Sequence, residues 1–337
     1  MQALWRYENG VLSFLEVAAP EIQKPEEVKI KVMYSTIGIQ DLRMTRAWDF
    51  YAKPGIAGYE MAGIIVELGE KAKAEGYYEG QRVTGTIAKF CGSCAYCLKE
   101  EENNCLQIYS KSGTICDYVV WDYSQLVPLT PETPYRIGCL LEPVAVVYMA
   151  FLKMKLLPGN NICIFGGDFN GLLMLQFAKM AGADKITVVE PKESSRLLAL
   201  SLGATYAVNP ADDTYETELL KQSDFMGFQS VVITSSNTEW FQTATNTVAR
   251  GGTVMITVYY DQGKDFSINS IKFFAMNLNI TSSFLYSKKT LLETRGIMSS
   301  LQLEELIAKE YPVKDALIAF DEEQIHRYPR IGLVLGT

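Results

Sequence analysis

From Glu27 to Met33 polar and apolar residues alternate, and residues 63–69 repeat the pattern more loosely. A period of two is that of a strand with one face buried. Glycines break these runs throughout the first third, which predicts a compact antiparallel β domain. From about Pro143 the pattern changes: residues 161–165, 185–190, 231–234 and 253–258 are buried-type strands that alternate with helical stretches. Such alternation predicts a parallel, doubly wound sheet, so the fold class is α/β with a second, β-rich domain. One helix is expected from Gly171 to Gly182, where the second glycine would stop it.

The length of 337 residues supports two domains, each large enough for its own core. The longest apolar stretch, near Leu140, is broken by Glu142 and Pro143, so no membrane span is expected. A formal charge of −8 without any Lys/Arg run argues against nucleic acid as a partner. The N-terminal residues lack a basic segment followed by an apolar core, so a cytoplasmic location is expected. A small-molecule substrate remains the expected partner.

Cys91, Cys94, Cys97 and Cys105 place four thiols within fifteen residues. The spacing suits one tetrahedral ion, and a closed four-cysteine shell has no open position for substrate, so one structural zinc per chain is expected. The alternative, a pair of disulfides, would need an oxidising compartment. Cys116, Cys139 and Cys163 lie singly in apolar surroundings and read as small buried hydrophobes.

The predicted strand at 161–165 runs into Gly166, Gly167, Asp168, Phe169, Asn170 and Gly171, then a helix, then a strand ending in Glu190. This is the order of a dinucleotide-binding turn, in which glycines make the tight bend, admit the pyrophosphate and let helix pack on strand. Asp168 stands where the second glycine is usual, and its carboxylate is expected to oppose a pyrophosphate. Glu190 suits a free ribose 2′-hydroxyl and opposes a 2′-phosphate, favouring NAD(H) over NADP(H). An ordinary strand-to-helix turn without ligand is the alternative.

Taken together, the Gly80-Gln81-Arg82-Val83 turn, the cysteine lobe, Leu141-Glu142-Pro143, the glycine turn, and Glu190-Pro191 with Arg196 and Leu202-Gly203-Ala204 resemble the zinc-type medium-chain dehydrogenase/reductase family. Its threonine, sorbitol and polyol dehydrogenases are nearest in pattern. The resemblance implies a chaperonin-10-like antiparallel β-barrel domain of residues 1–150 and 291–337 around a Rossmann domain of residues 151–290. It also implies a homodimer or homotetramer.

The resemblance fails where the family carries its catalytic zinc. Gly38 stands at a cysteine ligand position, Tyr59 at a histidine ligand, Tyr148 at a further histidine, and Arg43 at the proton-relay histidine. His326, the only histidine, is expected to be structural. Three readings follow. The first is an NAD(H)-dependent oxidoreductase acting without catalytic zinc on a polyol, sugar or related carbonyl or conjugated substrate, with Tyr59 as acid or base, its pKa lowered by Arg43. The second places another metal on Asp41, Glu60 and Glu142. The third is a binding or regulatory member that has lost turnover. Simple filling of vacated space is the alternative role for Tyr59 and Tyr148.

Overall fold

The computed structural model describes residues 1–45, 54–259, 265–321 and 328–336. The chain divides into two compact units, Met1–Pro143 with Leu303–Thr337, and Val144–Gln302. The seams expected at 150 and 291 therefore move. Pro143 is tolerated in the first turn of helix Leu141–Met154, so that helix runs through the expected seam, and helix Lys288–Ile297 stays with the second unit.

In the largest sheet of the first unit the strands lie in the order Leu126–Pro128, Arg82–Gly85, Glu60–Leu68, Glu27–Ile37, Arg330–Val334 and Ile307–Pro312, and Tyr118–Asp122 also pairs with the long strand Glu27–Ile37. All pairs are antiparallel except the last, between Ile307–Pro312 and Arg330–Val334. The alternation read from the sequence is visible in burial: Val28, Ile30 and Val32 are buried while Lys29 and Lys31 are half-buried. Their inward face meets Met61, Ile65, Val83 and Trp121 in one core. A second cluster, including Leu4, Ile37, Ile115, Ile331 and Leu333, fills the other side.

Register places the chemistry. Thr36 lies opposite Glu60, and Ile37 opposite Ile331. The C-terminal end of the central strand therefore meets the N-terminal ends of both flanking strands, which brings Gly38, Tyr59, Glu60 and Arg330 to one end of the sheet. Gly38 also opens the short helix Ile39–Met44, whose Asp41 carboxylate accepts the Gly38 N–H at 2.9 Å.

The second unit is a six-stranded parallel sheet with strands ordered Tyr206–Val208, Ile186–Val189, Ile162–Phe165, Phe228–Ile233, Val248–Ile256 and Asn279–Ser282. Order reverses beside Ile162–Phe165, the topological switch point of a doubly wound sheet. Phe165, Val231, Phe241 and Trp240 fill one side of it. Helix Phe169–Met180 starts two residues before the expected Gly171 because Asp168 caps it, and it ends before Gly182, which takes φ +77°.

Candidate functional site

Two places concentrate polar chemistry, one in each unit, and a third group is the cysteine lobe.

In the first unit the end of the sheet holds a buried cluster. Arg330 makes two contacts with Glu60, Nε to Oε2 at 3.2 Å and Nη2 to Oε1 at 3.1 Å, with side chains 6% and 0% exposed. Thr36 donates its hydroxyl to the same carboxylate. The guanidinium lies against Gly38: a Cβ built there would stand 2.9 Å from Cζ and closer still to Nη1. A side chain at position 38 would therefore have to displace the guanidinium.

Tyr59 is buried beside this pair. Burial, then the charges of Asp41 and Glu60, pushes its phenol well above the ordinary range, and Arg330 opposes them. This corrects the expectation of a lowered pKa tuned by Arg43. Arg43 is buried on the short helix, but the cation bearing most on Tyr59 is Arg330. Asp41 is pushed up to about 7 by burial and by Glu60, against the Gly38 N–H, Arg330 and Arg6. Its Oδ1 is buried without a hydrogen-bond partner. Around neutrality the cluster therefore contains a neutral phenol and a carboxyl poised to exchange a proton.

Glu142 is buried at the start of its helix and adds a negative influence on Tyr59. It does not join Asp41 and Glu60 in a metal site. Among the described residues the only His, Cys, Asp and Glu donors that converge are the four cysteines. Glu60 is instead committed to Arg330 and Thr36. Tyr148 belongs to the second unit, where it packs on Phe151 and Phe177 with ring centroids at 6.4 and 5.2 Å. His326 lies outside the described residues.

Arg330 was missed in the sequence. It heads a final apolar strand, Arg-Ile-Gly-Leu-Val, and a cation fully enclosed by a sheet must find a partner. That rule, set beside the glycine at position 38, was the available signal.

In the second unit the glycine turn follows strand Ile162–Phe165. Gly166 takes φ +127°, and a Cβ on Gly171 would collide with the Gly166 carbonyl, so both glycines are required by the turn itself. Asp168 is turned onto the helix it caps, its Oδ1 accepting the Gly171 N–H at 2.9 Å. Glu190 folds back on the same turn, accepting from Gly167 N–H at 2.7 Å and Lys192 N–H at 2.9 Å. Arg196 donates to the carbonyls of Glu190 and Pro191. Phe169 is buried and Asn170 half-buried in the first helical turn.

The cysteine lobe fits a tetrahedral ion. The four sulfurs lie within 4.8 Å of one another, with Cys91 to Cys97 at 3.8 Å and Cys94 to Cys105 at 4.0 Å. Bonds of about 2.3 Å to a central zinc require sulfurs about 3.8 Å apart. Backbone N–H groups of Cys94, Cys91 and Gln107 point at Cys91 and Cys105 sulfurs at 3.4 Å. Those of Ser93 and Cys94 hold the Cys91 thiol below its ordinary range. Cys116, Cys139 and Cys163 are buried, and burial pushes each thiol upward.

Comparison with known proteins bears on the family and fold of both units. Residues 24–131 match the family described as alcohol dehydrogenase GroES-like domain, and residues 171–300 match zinc-binding dehydrogenase. A zinc-type alcohol dehydrogenase-like protein of Escherichia coli is 28% identical over 330 residues, 93% of this chain and 92% of that protein. Scyllo-inosose 3-dehydrogenase of Thermotoga maritima is 28% identical over 249 residues, 66% of this chain and 62% of that protein. A zinc-binding dehydrogenase of Sinorhizobium meliloti bound to NADP superposes with a TM-score of 0.90 over 99% of both chains, at 22% identity.

Proposed function

Because the chain belongs to the zinc-type medium-chain dehydrogenase/reductase family, we propose that it is an NAD(H)-dependent oxidoreductase that acts without a catalytic zinc on a polyol, sugar or related carbonyl or conjugated substrate. The observation that carries the cofactor reading is the glycine turn closed on Glu190 at the switch point of the parallel sheet. A bound nicotinamide supplies or accepts hydride. In this reading a pyrophosphate would approach the glycine turn at the helix N-terminus and compete with Glu190 and Asp168 for the Gly167 and Gly171 N–H groups. Glu190 would accept from a ribose 2′-hydroxyl, and its charge opposes a 2′-phosphate. The name of the Thermotoga relative supports a hydroxylated carbonyl compound as substrate.

Proton chemistry falls to Tyr59. A buried neutral phenol can donate to a substrate oxygen as a carbonyl is reduced, and take the proton back in the reverse direction. Asp41, whose charge bears on Tyr59 and whose carboxyl is pushed up to about 7, is the proton reservoir this reading assigns to the cluster. The four cysteines would hold one zinc that ties the lobe together. The exposed Ile271, Phe273 and Phe274 beside the edge strand Asn279–Ser282 support self-association as a homodimer or homotetramer.

One observation favours a second reading. Asp168 and Glu190 already occupy N–H groups of the glycine turn, as a binding or regulatory member with weakened cofactor affinity would have them. Calorimetric titration separates the two when combined with a panel of polyols, sugars and enones followed by cofactor absorbance. Tighter NADH than NADPH, together with reduction of NAD+ by a polyol or oxidation of NADH by a carbonyl or enone of the panel, supports the enzyme. Cofactor binding without turnover supports the binding protein, and tighter NADPH or no binding of either overturns the NAD(H) assignment.

A further inference from the structure

Helix Glu193–Leu202 of the second unit begins against the usual preference for helix starts. Its N-cap is Lys192, which makes no side-chain cap and sets a positive charge at the end of the helix where the backbone dipole is already positive. A serine, threonine or aspartate would serve the helix better there. The lysine is also half-buried, and burial pulls its ammonium below the ordinary range while the charges of Glu190 and Asp168 oppose that pull. The side chain is thus turned toward the carboxylates of the glycine turn. Its backbone is fixed at the same place, with the Lys192 N–H donating to Glu190 Oε1 at 2.9 Å.

We propose that Lys192 is a cofactor-selecting residue: its ammonium and the N-terminus of helix Glu193–Leu202 give a ribose 2′-phosphate a counter-charge beside Glu190, so the protein takes NADPH as well as NADH, with only a narrow preference for NADH. The inference rests on the dinucleotide reading of the glycine turn and refines which dinucleotides that turn admits. Glu190 by itself would reject a 2′-phosphate through like charge. Lys192 stands two residues farther along with its N–H on the same carboxylate, so a phosphate brought to Glu190 meets opposite charge as well. The helix adds its own N-terminal N–H groups, and its ten residues give it a full dipole. Arg196, on the same helix, is turned to the backbone instead, with Nη1 donating to the Glu190 and Pro191 carbonyls at 2.8 and 2.6 Å. A lysine that the helix does not need is explained by an anionic ligand arriving at the same place.

Calorimetric titration of the full-length protein with NADH, NADPH and adenosine 2′-monophosphate, paired with thermal melting, tests the assignment. The native protein should favour NADH over NADPH by no more than about tenfold, the size of one charge-assisted contact. Lys192→Ser should widen that gap by about tenfold, through weaker NADPH and adenosine 2′-monophosphate rather than stronger NADH. The same variant should hold or raise the melting temperature, because serine caps a helix. Lys192→Arg should restore both 2′-phosphate ligands. An NADH to NADPH ratio that Lys192→Ser leaves unchanged would overturn the proposal. An equal loss for both dinucleotides would do the same, since it would put the ammonium on the pyrophosphate they share. Failure of all three ligands to bind would overturn the cofactor reading and this inference together, whereas NADH binding with an unmoved ratio removes only the assignment of Lys192.

Discussion

Replacing Asp41 with Asn converts a buried titrating carboxyl into a neutral mimic of its protonated form. In the native fold burial, then Glu60, raises this group from 3.8 to about 7, and Oδ1 has no partner to reward ionisation. A shift of about three units corresponds to about 4 kcal/mol between the two protonation states. The sign follows from the direction of the shift: the folded pKa lies above the unfolded one, so the folded state binds more protons between them. This contribution to stability is fully present below about pH 4, falls as pH rises, and is lost once pH passes about 7. Asp41→Asn removes the titration, while its carboxamide still accepts from Gly38 N–H and offers a donor at the orphan position. The stability of the variant relative to native protein should therefore grow by about 4 kcal/mol between pH 4 and pH 8, then level off. Denaturant titrations of both proteins across that range measure it. A gap that stays constant with pH, or one that widens toward acid, would refute the assignment of a protonated Asp41.

Tyr59→Phe should lower turnover by about 10²- to 10⁴-fold, the usual range for a lost general acid, with little change in melting temperature; unaltered rates across pH would return Tyr59 to a packing role. Asp168→Gly should tighten NADH binding by removing a carboxylate from the glycine turn, while costing about 1 kcal/mol of stability through the lost helix cap, and calorimetry paired with thermal melting reads both. Cys94→Ser should release the lobe's zinc and promote aggregation, because the metal's binding energy is part of the lobe's folding energy; elemental analysis showing zinc retained would contradict the four-cysteine shell. Size-exclusion with light scattering should find a dimer or tetramer, and Phe274→Glu should shift it toward monomer.

The strands at 27–33 and 63–69 and the four central strands of the parallel sheet were legible in the sequence because periods of two and apolar runs report burial directly, whereas the edge strands Tyr206–Val208 and Asn279–Ser282, which are short and partly exposed, were not. The glycine turn and the cysteine lobe were legible for a related reason: each depends on residues close in sequence, so spacing alone carries the geometry. The site around Gly38 was not. Its parts come from strands separated by hundreds of residues, and only the register, Thr36 with Glu60 and Ile37 with Ile331, brings them together. Arg43 looked like the natural cation for Tyr59 because it is near in the chain, whereas the sheet delivers Arg330 from the far end. The direction of the Tyr59 shift was likewise hidden, since it depends on enclosure and on two carboxyls. Asp168 was read as a charge facing the ligand, and its turn onto the Gly171 N–H is a capping geometry that the same residue type permits at a helix start.

The inward fold of Asp168 and Glu190 gives the second unit an anion of its own at the place where the dinucleotide is proposed to bind. Many ligand-binding turns are loose until their ligand arrives, so the protein's lifetime follows the ligand's supply. Here the Gly171 N–H of the helix start is taken by the Asp168 carboxylate, and the Gly167 N–H of the turn by Glu190. Arrival of a cofactor exchanges one set of acceptors for another, and the extra stabilisation, set by RT ln(1 + [L]/Kd), stays small for a weak ligand. A turn paired in this way is expected to keep its shape without ligand, so added NADH should raise the melting temperature of the protein only slightly.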